Sequence, residues 1–120
     1  METDERRRHK RFKAWEGIVV STPMLLGTLV DISQGGLAFK YLDFRKPSAH
    51  SPQRLNLIHQ GDYLLRDIPF RAVNDTPVHE DQCFYGKVSL RRCGGEFGEL
   101  NAEQRQALKM VLTELAGSGM

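Results

Sequence analysis

The chain has little of what most enzymes and membrane proteins require. None of its apolar runs approaches the roughly 20 residues of a membrane-spanning helix, and no apolar stretch follows the basic start. Neither a span nor a secretory leader is therefore expected, and the expected location is the cytoplasm. Only two cysteines are present, Cys83 and Cys93, and they lack C-x-x-C spacing. In a cytosolic chain they read as reduced thiols rather than a disulfide. The histidines, His9, His50, His59 and His79, are scattered without metal-ligand spacing. There is no P-loop, G-x-S-x-G or G-x-G-x-x-G. No constellation for catalysis, a metal or a cofactor is left, and the chain reads as a non-enzyme. Net charge is only +2, so the molecule as a whole is no polyanion binder.

What is present is ordinary for one globular core without staples: 120 residues, 40% hydrophobic and 27% charged. Residues 1–13 are almost wholly polar and read as a flexible basic segment, ahead of a folded body over 14–116. Strand signals then recur at short intervals. Residues 17–21 and 25–32 are apolar and β-branched, with Thr22-Pro23 as a turn between them. Leu37, Phe39 and Tyr41 alternate with Ala38 and Lys40, the period of a half-buried strand. Residues 43–53 read as a loop. Residues 55–59 and 63–65 read as short strands around Gln60-Gly61-Asp62. Pro69 makes 68–73 an edge or bent strand. Residues 74–82 read as another loop, and Phe84, Gly86, Val88 and Leu90 alternate again. The period then changes. Asn101 with Gln104 forms a capping box, Leu108, Val111, Leu112 and Leu115 share one helical face, and Gly117 ends the helix. The expected fold is mainly β: six or seven short strands, whose regular spacing suggests a sandwich or barrel, with one C-terminal amphipathic helix.

Two short motifs concentrate the chemistry. Arg7-x-x-x-Arg11 lies in the run Arg6, Arg7, Arg8, Lys10, Arg11, Lys13, and Asp31-x-Ser33-x-x-Gly36 follows about twenty residues later. A guanidinium forks onto guanine O6 and N7, pairs with phosphate and stacks on aromatic planes. A carboxylate accepts from the N1–H and amine of guanine. Strand alternation puts Leu26, Thr28, Val30 and Ile32 on one side and Asp31 with Ser33 on the other. Gly36 permits close backbone approach and a positive φ. Taken separately, Asp31, Ser33 and Gly36 also serve as plain turn formers, and the arginines as a solvated tail or a nucleic-acid-steering segment.

Together, in this order and separation, the motifs resemble those of the PilZ domain, a bacterial receptor for cyclic di-GMP. The resemblance covers about residues 5–115. It implies a β-barrel followed by a helix, with cyclic di-GMP as ligand and no other cofactor. It assigns Arg7, Arg11, Asp31, Ser33 and Gly36 to ligand binding. It adds Arg6, where relatives holding a stacked nucleotide pair often carry a basic residue. Arg8, at a variable position, is the weaker candidate. The implied partners are one or two cyclic di-GMP molecules per chain and a downstream protein, since 120 residues leave no room for an output domain. Ligand is expected to order residues 5–13 over the barrel. Gly94-Gly95-Glu96-Phe97 spells the signature of diguanylate cyclases, but those enzymes need a larger α/β domain with metal-binding acids. Here it reads as a final strand with Phe97 in the core. The alternative function is a small barrel binding nucleic acid through the basic tail, for which Tyr85, Lys87 and Arg91 supply only a thin aromatic-basic face.

Overall fold

Short apolar runs cut by turn residues make this chain a succession of strands. The computed structural model describes residues 10–43, 54–78 and 89–118. Among the described residues seven strands, β1 (Phe12–Lys13), β2 (Ile18–Ser21), β3 (Leu26–Ile32), β4 (Gly36–Asp43), β5 (Arg54–His59), β6 (Asp62–Pro77) and β7 (Ser89–Phe97), precede one helix, α1 (Ala102–Ser118). The strands neighbour one another in the order β1-β3-β2-β5-β6-β7-β4, and β4 also pairs with β3. That last pairing closes β2 to β7 into a six-stranded antiparallel barrel. β2 uses Leu26–Thr28 of β3. β1 then takes Asp31 and Ile32 of the same strand, and Ala14 N–H donates to the Val30 carbonyl at 3.1 Å. The strand β1, within the segment read as a polar tail, thus covers part of an edge that would otherwise stand open.

The core holds Val20, Ile32, Phe39 and Leu57, none with any exposed surface, and the helix adds Leu108, Val111 and Leu115. β5 and β6 are joined through Gln60 and Gly61, both at positive φ (55° and 87°), the conformation of a tight hairpin. β6 changes partner at Pro69. Up to Pro69 it pairs with β5, and from Phe70 onward with β7. Phe97 packs against the core.

Three expectations need correction. Residues 74–77 are not loop but the end of β6, paired with β7. The faces of β3 do not alternate throughout, because the register with β4 slips between Leu29 and Asp31. Val30 is the extra residue of that bulge. Before it, Leu26 (68% exposed) and Thr28 face outward while Leu29 is buried; after it, Asp31 faces out and Ile32 is buried. The helix runs to Ser118, one residue past Gly117. The reading of 84–88 as strand lies outside the described residues.

The helix start is a capping box. Gln104 N–H donates to Asn101 Oδ1 at 2.8 Å and Asn101 N–H to Gln104 Oε1 at 2.9 Å. The Gln104 amide also donates to the Asp67 carbonyl at 2.8 Å, tying the helix to β6. Asn101→Ala should lower stability by about 1 kcal/mol, read as a shift of the urea midpoint at unchanged slope. No shift would mean that the Gln104 contacts to β6 alone hold the helix start.

Candidate functional site

The bulge in β3 turns Asp31 outward at the end of the strand. There it stands opposite Ala38 on β4 and Lys13 on β1. Arg11 Nη1 lies 2.6 Å from Asp31 Oδ1, and Arg92 Nη2 of β7 lies 3.6 Å from Oδ2. The carboxylate therefore sits between two guanidiniums. Its side chain is 19% exposed, while those of Arg11 and Arg92 are 43% and 44% exposed. Half-solvated ion pairs of this kind contribute only ~0–1 kcal/mol. Both arginines can exchange the carboxylate for a ligand at little cost to the fold.

The rest of the second motif frames Asp31. Ser33 is buried, and its Oγ accepts from Gly35 N–H at 3.2 Å and lies 3.4 Å from the Gly36 carbonyl. Ser33 N–H donates to the same carbonyl at 2.8 Å, and Phe97 N–H donates to the Gly35 carbonyl at 2.9 Å. The hydroxyl thus works within the turn, and the Phe97 bond ties that turn to β7. Gly36 opens β4, and the expected positive φ does not occur there: among the described residues only Gly17 and Gly61 are glycines at positive φ. Its missing side chain is required by sheet packing. A Cβ at 36 would stand 2.0 Å from the Gly95 carbonyl oxygen. Arg6, Arg7 and Arg8 lie outside the described residues, so of the first motif the structure places Arg11 alone.

The chain matches the PilZ domain family model over residues 5–114. It belongs to the PilZ domain family. No curated protein matches its sequence. Among solved structures it is similar to the "PilZ domain with c-di-GMP of YcgR from Escherichia coli", at 18% identity and a TM-score of 0.60, over 93% of this chain and 92% of that one. At that identity the likeness is one of fold.

Sequence reasoning missed Arg92 in this PilZ chain. Its closeness to Asp31 depends on β7 lying beside β4, and β4 beside β3, an order no local pattern reveals. Arg91, the next residue, is engaged elsewhere. Its Nε and Nη2 donate to Asp75 Oδ1 (2.8 Å) and the Asp75 carbonyl (2.9 Å), and the Tyr41 hydroxyl donates to Asp75 Oδ2 at 2.5 Å. Burial, reinforced by the Asp75 carboxylate, pushes the Tyr41 hydroxyl well above its ordinary value. The Asp75 hydrogen bond raises Arg91. Cys93 is free and buried, and burial pushes its thiol up to about 11, so at neutral pH it is an uncharged core side chain. His59 packs its ring 5.4 Å from that of Trp15. Among the described residues no group of acidic, Cys and His side chains could hold a metal, and no helix is long and apolar enough to cross a membrane.

Proposed function

We propose that this PilZ chain is a cytoplasmic receptor, not an enzyme, that binds cyclic di-GMP on the outer face of β3 and β4. The observation that carries the reading is the Arg11–Asp31–Arg92 arrangement, an outward carboxylate between two half-exposed guanidiniums, with Arg11 and Asp31 at the positions of the family motifs. The similar YcgR structure, a PilZ domain with c-di-GMP, supports the choice of ligand. Asp31 accepts the guanine N1–H and amine. Arg11 leaves Asp31 for phosphate or base, and Arg7, with Arg6 and Arg8 beside it, closes over the nucleotide. β1 is the natural pivot, because Phe12 and Lys13 are already paired to β3. The arginine segment and its surroundings then present a changed surface to a downstream protein. Ser33 and Gly36 serve this site by holding the turn and strand that carry Asp31.

A stacked pair of nucleotides fits the run Arg6-Arg7-Arg8 with Arg11. Four phosphate charges brought together call for more than two guanidiniums, and each guanidinium stacks on an exposed base. Calorimetry with cyclic di-GMP, GMP and oligonucleotides tests the reading. Saturable binding of cyclic di-GMP alone, with an endpoint at two per chain, is the expected result. An endpoint at one removes the stacked pair and leaves the receptor. Binding of oligonucleotides without cyclic di-GMP would replace the receptor by the nucleic-acid module. Against that module, Arg91 is committed to Asp75 rather than offered on a strand face.

A further inference from the structure

We infer that Arg92 is a ligand-contacting residue that selects guanine over adenine, and that the Ala38–Gly94 strip beside it is the floor on which the base lies. This rests on the cyclic di-GMP reading above. Cys93 is buried in the core, so strand alternation turns Arg92 and Gly94 to the outside. Arg92 stands opposite Lys40, and Gly94 opposite Ala38, which is in turn opposite Asp31. Between Asp31 and β6 the outward positions therefore carry one methyl group, that of Ala38 (3% exposed in the free chain), and one hydrogen. Packing does not explain the glycine. A Cβ at 94 would meet nothing closer than the Asn74 amide oxygen at 3.3 Å, the end of a flexible side chain. By contrast, a Cβ on inward Gly95 would stand 2.2 Å from the Arg71 carbonyl oxygen. With the Asn74 amide swung aside, position 94 is flat, which is what a planar base requires.

The donor set completes the match. With Asp31 on guanine N1–H and the amine, the O6 and N7 acceptors lie next along the base. A guanidinium 3.6 Å from the second carboxylate oxygen is placed to fork onto them. Adenine presents an amine where guanine has O6, so donor would face donor, with no paired acceptors to satisfy the Arg92 fork.

The test is calorimetry, with competition for weak ligands, of cyclic di-GMP and cyclic di-AMP against wild type, Arg92→Gln, Arg92→Lys and a control, Arg54→Gln. Arg54 is an exposed arginine on β5, paired with Asp67. Arg92→Gln should weaken cyclic di-GMP roughly 5- to 150-fold and narrow its advantage over cyclic di-AMP. Arg92→Lys should recover only part of the loss, because an ammonium lacks the planar fork. Arg54→Gln should change nothing. Unchanged affinity in Arg92→Gln overturns the proposal. So does full recovery by lysine, or a fall in affinity that leaves selectivity intact, since a charge that merely positions Asp31 would give either. If a variant fails to fold, wild type still decides: the Arg92 Nε–H resonance should shift with cyclic di-GMP while that of Arg54 does not, and no shift overturns the assignment. Wild type that binds no cyclic di-GMP removes the receptor reading together with this one, an outcome distinct from wild type that binds and an Arg92→Gln variant that binds equally.

Discussion

Arg7→Ala or Arg11→Ala is expected to abolish detectable cyclic di-GMP binding while leaving the fold intact. Removing one partner of a ligand-bound charge pair costs ~2–5 kcal/mol, about 30- to several-thousand-fold in affinity. For Arg11 the structure separates binding from stability. Its guanidinium is half in solvent and pairs with Asp31, so its loss should move the melting temperature of the free protein by about a few degrees at most. What holds this stretch to the barrel is backbone and apolar: the β1–β3 pairing, the Ala14 to Val30 hydrogen bond, and Phe12 packed against the core. Asp31 keeps Arg92 as a neighbour when Arg11 is gone. Calorimetry gives the affinity and a thermal melt without ligand gives the stability. Near-wild-type affinity in both variants would remove the arginines from the site. A collapse of melting temperature in Arg11→Ala would make Arg11 a structural residue.

Features set by neighbours in sequence were legible. The hairpin at Gln60-Gly61, the capping box at Asn101 and Gln104, and the order of short strands followed by one helix all follow from residues a few positions apart; the choice of a barrel came with the family motifs. What was illegible depends on strand partners. The bulge at Val30 is a mismatch between β3 and β4, and an apolar stretch such as Leu26-Gly-Thr-Leu-Val gives no hint of it. Asn74-Asp-Thr-Pro77 is turn-like by composition, yet pairing with β7 holds it extended, because strand preference follows context more than residue type. The motif residues stand out in the sequence, but not which way each one faces. Asp31 has its side chain outward. Ser33 and Gly36 face the turn and β7, a distinction visible only once Gly95 is known to lie against Gly36. Arg92 needed the full β3–β4–β7 order.

Gly36→Ala should therefore cost stability before it costs affinity. Its Cβ would lie 2.0 Å from the Gly95 carbonyl oxygen and 3.1 Å from Glu96 Cα, far inside contact distance, and both obstacles are backbone. β7 cannot simply withdraw. A Cβ on Gly95 would already be 2.2 Å from the Arg71 carbonyl oxygen and 2.6 Å from Phe70 Cζ, so β4, β7 and β6 are stacked as closely as backbones allow. Relief requires opening the Gly36–Glu96 and Leu37–Gly95 pairs, where Leu37 and Phe70 are buried in the core. Overpacking costs ~1–3 kcal/mol and occasionally more, and a clash with backbone on both sides belongs at the upper end or beyond. The gain from replacing a glycine in a strand, ~0.5–1 kcal/mol, is too small to offset it. Urea unfolding should show a midpoint lowered by the equivalent of about 2–3 kcal/mol or more at unchanged slope, with ligand affinity falling as the Asp31 turn is displaced. A midpoint within about 0.5 kcal/mol of wild type, together with lost binding, would reverse the assignment: the turn would have room to spare, and Gly36 would be there for the nucleotide.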